Sequence, residues 1–135
     1  MSKYLDEAIT LRARTDRHFN CAQAVLVPFA KGAGLDEELA FNLAANFGSG
    51  MKMAGTCGAI TGGLMALGLY GVDDPATITQ YYKRFRTAHQ GMMNCGDLLK
   101  ANFEKGLAKK PHCDHMVYEA IGYVEEILRE RNMSD

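Results

Sequence analysis

The sequence predicts an all-α protein: a single-domain helical bundle over residues 1–135, of about six to seven helices, with a glycine-rich helix at its centre. Two observations carry this reading. Apolar residues recur at helical spacing along nearly the whole chain, and no segment alternates in the manner of a half-buried strand. Length supports it, because 135 residues suffice for one buried core and are few for two domains.

The elements follow in order. Residues 3–14 place Leu5, Ala8, Ile9 and Ala13 on one face, and after Asn20 the residues Ala22, Val25, Leu26 and Phe29 do the same. Pro28 should kink or shorten this second helix, because its ring clashes with the carbonyl four residues back. KGAGLDEE is a turn into a short helix, about 36–46, with Leu39, Leu43 and Phe47 inward. FGSGMKMAG is a glycine-rich connection to a helix over about 56–69. Asp73-Asp74-Pro75 then starts a helix to about residue 90, since Asp caps and Pro suits the first turn. That helix presents Ile78, Tyr81, Tyr82, Phe85 and Ala88. A shorter helix begins near Cys95 with Leu98, Leu99 and Phe103, and after the basic turn KKPH the last one buries Val117, Ala120, Ile121, Val124 and Leu128.

Composition narrows the function classes. A formal net charge of −1 offers no electrostatic case for nucleic acid. The basic run Lys83, Arg84 and Arg86 therefore reads as a solvated helix face. The start of the chain is charged throughout, unlike a secretory leader, and the longest apolar run, AITGGLMALGLYGV, is short of the roughly 20 residues a spanning helix needs. A cytoplasmic protein with no direct membrane insertion is expected. Small size and apolar content point to a homodimer. In a reducing compartment, four cysteines suggest redox, catalytic or metal-binding use rather than a fixed disulfide framework.

Cys21 follows Asn20, Cys57 follows Thr56 and Cys95 follows Asn94, so each stands after a capping residue at a predicted helix start. Cys113, after His112, is read the same way. Unpaired N–H groups and the positive end of the helix dipole favour thiolate there, which redox exchange and metal ligation both require. The cysteines are 36, 38 and 18 residues apart, so no two lie within one turn and any shared site must be assembled by the fold.

Asn20-Cys21-Ala22-Gln23-Ala24-Val25, then Gly55-Thr56-Cys57-Gly58-Ala59-Ile60-Thr61-Gly62, then Cys95 and Cys113, resemble a bacterial family of redox-active proteins named for its C, GCAxxG, C, C pattern. Cys57-Gly58-Ala59-Ile60-Thr61-Gly62 fits the form CGAxxG. The resemblance covers nearly the whole chain. It implies a helical domain of this size, a redox role, an anaerobic habit and genes near transporters, hence a membrane transporter system as partner to the redox function.

Two chemistries use the same residues. In a thiol–disulfide oxidoreductase or electron carrier, Cys57 is the attacking thiol and Cys21, Cys95 and Cys113 are resolving or second-pair cysteines. Alternatively, Cys21, Cys57, Cys95 and Cys113 together ligate an iron–sulfur cluster or zinc. His112 and His115, flanking Cys113 in HCDH, are weaker metal candidates or could hold Cys113 as thiolate. His18 could act likewise on Cys21, whereas His89 reads as a helix-surface or helix-end residue. Met51, Met53, Met65, Met92 and Met93 lie near the cysteine segments and offer soft ligands, although methionine more often fills core gaps. Gly58 and Gly62, four apart on one face, are expected to admit a neighbouring cysteine-bearing helix end over Cys57.

Overall fold

The computed structural model describes residues 2–131, which form seven α-helices joined by turns around one hydrophobic cluster. Helix α1 (Lys3–Ala13) starts where Ser2 Oγ accepts the Leu5 N–H at 2.9 Å. It buries Tyr4, Ala8 and Leu11, while Ile9 and Ala13 are exposed, so the inward face is rotated from the expected one. The cause is Tyr4, which stacks on Phe29 with ring centroids 4.3 Å apart and buries more area than Ile9 could.

Helix α2 (Cys21–Ala30) opens on a reciprocal cap: Gln23 N–H donates to Asn20 Oδ1 at 2.9 Å, and Asn20 N–H donates to Gln23 Oε1 at 2.8 Å. Pro28 lies near its end. The helix stops at Ala30 and tightens into a 3₁₀ turn over Lys31–Ala33. Helix α3 (Glu37–Ala44) is capped by Asp36, whose carboxylate accepts the Leu39 N–H at 3.1 Å. Leu39 and Leu43 point outward, against expectation, at 56% and 55% exposure. Ala40 and Ala44 face in instead, and Gln23 Nε2 donates to the Phe41 carbonyl at 3.0 Å, an approach of α3 to α2 that small side chains permit.

The glycine-rich helix is α4 (Gly58–Leu69), and it shares the centre with α2, nine of whose ten residues are buried. A Cβ on Gly62 would lie 2.8 Å from the Ala22 carbonyl oxygen, and one on Gly58 would lie 2.7 Å from the Phe47 carbonyl oxygen. Gly58 also abuts Cys21 and Ala22, so the glycines do admit a cysteine-bearing helix start beside Cys57. Tyr81 Oη occupies the space a side chain on Gly63 would need and donates to the Ile60 carbonyl at 2.8 Å.

Helix α5 (Pro75–Ala88) has Asp74 as its cap and Pro75 in its first turn, and it buries Tyr81 and Phe85. Helix α6 (Cys95–Glu104) buries Leu98 and Asn102, whereas Phe103, expected inward, is 79% exposed. Asn102 takes the inner position because its Nδ2 donates to the carbonyls of Leu107 and Ala108, turning the chain into the last helix. Helix α7 (Lys109–Glu130) starts earlier than expected. The KKPH segment is its first turn, where proline lacks only an N–H that would have no helical partner. The inward series Val117, Ala120, Ile121, Val124 and Leu128 is buried as the periodicity predicts. Among the described residues no helix is long and apolar enough to cross a membrane.

Candidate functional site

Backbone pairing brings two of the cysteines together. Thr56 and Asn94 form an isolated antiparallel bridge, in which Cys57 N–H donates to the Met93 carbonyl at 2.8 Å and Cys95 N–H donates to the Gly55 carbonyl at 2.6 Å. Side chains alternate along paired strands, so Cys57 and Cys95 leave the bridge on the same face, opposite Thr56 and Asn94. Cys57 is the cap of α4, a place the sequence suggested for Thr56, and Cys95 is the first residue of α6. Before the bridge, Ser49, Gly50, Met51 and Lys52 follow one another with φ between 53° and 61°. Such left-handed backbone costs non-glycine residues roughly 1–2 kcal/mol each, and Ser49 at its start lines the same cavity as Cys57.

Cys21, the first residue of α2, and Cys113, the fifth residue of α7, complete the group. All four cysteines line one cavity of about 110 Å³, whose wall also includes Arg12, Lys109, His18, His112, Ser49 and Met116. His115 does not reach it. That side chain lies with His89 and His112 along a neighbouring groove, where His89 Nε2 is 2.8 Å from Glu119 Oε1. Met51, Met53, Met65, Met92 and Met93 are likewise not among the cavity residues.

The family model described as "Putative redox-active protein (C_GCAxxG_C_C)" matches residues 19–127, a span that holds all four cysteines. The chain belongs to this family. No curated protein and no solved structure matches it.

In this C_GCAxxG_C_C protein, the four thiols differ. Burial pushes Cys57 up to about 11, although the Ala59 and Ile60 N–H groups at the start of α4 pull the other way. The helix end is present but desolvation wins. Cys95 is also raised by burial. Cys21 is raised first by its interaction with the neighbouring Cys113, with burial adding to the effect. Cys113 is the exception, lowered to about 7 first by that interaction and then, against the cost of burial, by Arg12 and Lys109. Burial thus opposes the favourable field of the helix start at Cys57 and Cys95, and of the four thiols Cys113 alone is lowered.

Arg12 is the residue the sequence reading missed. Its Nε donates to Asp114 Oδ1 at 2.6 Å and its Nη1 to the Phe19 carbonyl at 2.8 Å, with the side chain only 7% exposed. Burial works against its charge, yet the Asp114 hydrogen bond and the nearby Cys21 and Cys113 sulfurs outweigh it. An arginine near the end of a first, amphipathic helix carries no sequence signal for this role, because its partner Asp114 is 102 residues away. His112 is lowered by burial and by the other two groove histidines, which favours neutral imidazole beside the cavity.

The iron–sulfur or zinc reading fits the residues less well. Although the four cysteines share a cavity, no group of three or more His, Cys, Asp or Glu among the described residues stands in an arrangement that could hold a metal ion.

Cys21→Ala removes the neighbour that does most to lower Cys113. The midpoint of Cys113 alkylation by iodoacetamide against pH, near 7 in the parent, is expected to move alkaline by about one unit or more. Peptide mass spectrometry across a pH series checks this, and an unmoved midpoint would assign the thiolate to Arg12 and Lys109 instead. Stability follows the same shift. Because folding lowers this pKa, the contribution is fully present above the unfolded thiol's value, about 8.5, and is lost as pH falls through about 7.

Proposed function

We propose that this redox-active protein works as a dithiol–disulfide couple in which Cys113 is the reacting thiolate and Cys21 its resolving partner. The observation that carries this is that Cys21 and Cys113 line one cavity, close enough for each to be the first cause of the other's pKa shift. With a disulfide as oxidant, Cys113 Sγ attacks one sulfur, the bond to the other sulfur breaks, and that sulfur leaves with the electron pair. The Cys21 proton passes to the leaving thiolate. Cys21 Sγ then attacks Cys113 Sγ, forming the intramolecular disulfide and expelling the second thiolate. The oxidant gains two electrons and the cysteine pair loses two. An external dithiol running the same exchange backwards restores the reduced form.

Cys57 and Cys95 form a second layer in this reading, their main chains pinned by the Thr56–Asn94 bridge and their thiols held protonated by burial. The test is intact-mass analysis after oxidation with 2-hydroxyethyl disulfide, an uncharged oxidant, followed by peptide mapping. A reversible loss of two hydrogens mapped to a Cys21–Cys113 crosslink is expected. A crosslink elsewhere, or no crosslink, overturns the assignment.

A further inference from the structure

We propose that the cysteine cavity binds a small inorganic oxyanion and that the Cys21–Cys113 pair reduces its central atom by two electrons. The inference rests on the dithiol–disulfide reading and names the oxidant for it.

Charge is the first argument. Arg12 and Lys109 stand on the cavity wall, and no Asp or Glu does. A thiolate alone would repel an anion, but Asp114 is shared by Arg12 and Lys110, so with Lys109 the three cations exceed the charges of Asp114 and Cys113 by one.

The second argument is the uncommitted part of Arg12. Nε and Nη1 are occupied by Asp114 and by the Phe19 carbonyl, while Nη2 has no hydrogen-bond partner among the described residues. No buried side-chain nitrogen or oxygen there lacks a partner, so Nη2 opens onto accessible space. The Arg12 side chain is only 7% exposed and the residue lines the cavity, so Nη2 is left as a free donor on a side chain of its wall. Ser49 and His112 add hydrogen-bonding groups to the same wall.

Size is the third. A cavity of about 110 Å³ has room for a small anion with four oxygens.

The step balances. For an oxyanion HXO₄²⁻, Cys113 Sγ attacks X and one oxygen departs as water, taking the Cys21 proton and one proton from solvent. Cys21 Sγ then attacks Cys113 Sγ; the S–S bond forms, the S–X bond breaks, and the electron pair stays on X, giving HXO₃²⁻. X is reduced by two electrons as the two cysteines are oxidised by two.

The probes are phosphate, which thiols do not reduce, and arsenate, its reducible counterpart. Using the reduced full-length chain without oxygen, millimolar phosphate is expected to slow Cys113 alkylation. Arsenate is expected to produce the Cys21–Cys113 disulfide with one arsenite released per crosslink. Lys109→Gln, at an exposed helix start, should weaken phosphate protection at least about tenfold, and Arg12→Gln should weaken it further. Should Arg12→Gln fail to fold, Lys109→Gln still decides. If phosphate gives no protection and arsenate no disulfide while 2-hydroxyethyl disulfide still oxidises the pair, the oxyanion inference fails and the thiol-pair reading stands. If the uncharged disulfide also fails, both fall. Phosphate protection unchanged in Lys109→Gln and Arg12→Gln would place the anion elsewhere and overturn the proposal.

Discussion

Cys113→Ser is expected to remove nearly all iodoacetamide reactivity at pH 7 and to abolish the reversible loss of two hydrogens. The magnitude follows from two opposing effects. At pH 7 a thiol with a pKa of about 7 is about half ionised, whereas Cys57, at about 11, is ionised only to roughly one part in ten thousand. Against that, the more basic thiolate is intrinsically more nucleophilic, which returns roughly 60-fold over four pKa units. The net advantage of Cys113 over Cys57 is therefore about 100-fold, before access is considered, and the buried Cys57 has less. Competitive alkylation with isotopically distinct reagents, read peptide by peptide, measures this ratio. If Cys113→Ser kept most of its reactivity and Cys57→Ser lost it, Cys57 would be the attacking thiol after all. The serine is nearly isosteric, so a folding defect should not obscure the result. Circular dichroism on the same sample checks that.

Gly62→Val is expected to destabilise the protein by about 3 kcal/mol or more. Its Cβ would stand 2.8 Å from the Ala22 carbonyl oxygen and 3.0 Å from the Ala22 Cα, both main-chain atoms at the start of α2. Neither can swing aside. Relief would require α2 and α4 to separate, and those helices carry much of the buried core, including Val25, Leu26, Ile60 and Leu67. Gly68, in the same helix, is the control. A Cβ there meets nothing within 4 Å, so Gly68→Ala should stabilise by about 0.5–1 kcal/mol through reduced chain entropy in the unfolded state. Urea titrations of the two variants would show opposite signs. A neutral Gly62→Val would mean that the two helices can part at little cost.

These residues also show what the sequence carries and what it does not. The Asn20 cap, the Asp74-Pro75 start and the α7 apolar series are local signals, and each appears in the structure where the spacing predicts it. That a cysteine-bearing helix start packs closely on α4 was legible from Gly58 and Gly62, but not that it belongs to α2. The inward faces of α1, α3 and α6 were not legible. The first two were decided by distant partners, Phe29 under Tyr4 and the Phe41 carbonyl on Gln23, and the third by the α6–α7 turn, whose carbonyls Asn102 caps with no apolar periodicity to announce it. The cavity divides in the same way. Four ordered cysteines marked its chemistry, but the distinction among them depends on desolvation and on Arg12, neither of which has a sequence pattern. Helix-start reasoning supplied the favourable field and omitted the cost of removing a charge from water, which is the larger effect at Cys57.

The Thr56–Asn94 bridge has a consequence for folding order. It joins positions 38 residues apart, and closing a flexible loop of that length costs about 3 kcal/mol before any contact rewards it. Its two hydrogen bonds, at roughly 1 kcal/mol each, fall short of that. The bridge is therefore expected to close after α4 and α5 have shortened the path between its ends, so the Cys57–Cys95 side of the cavity is completed on a scaffold already formed. Substitutions lining the cavity would then act mainly on how fast the native state opens rather than on how fast it is reached, leaving the chemistry free to vary without slowing folding.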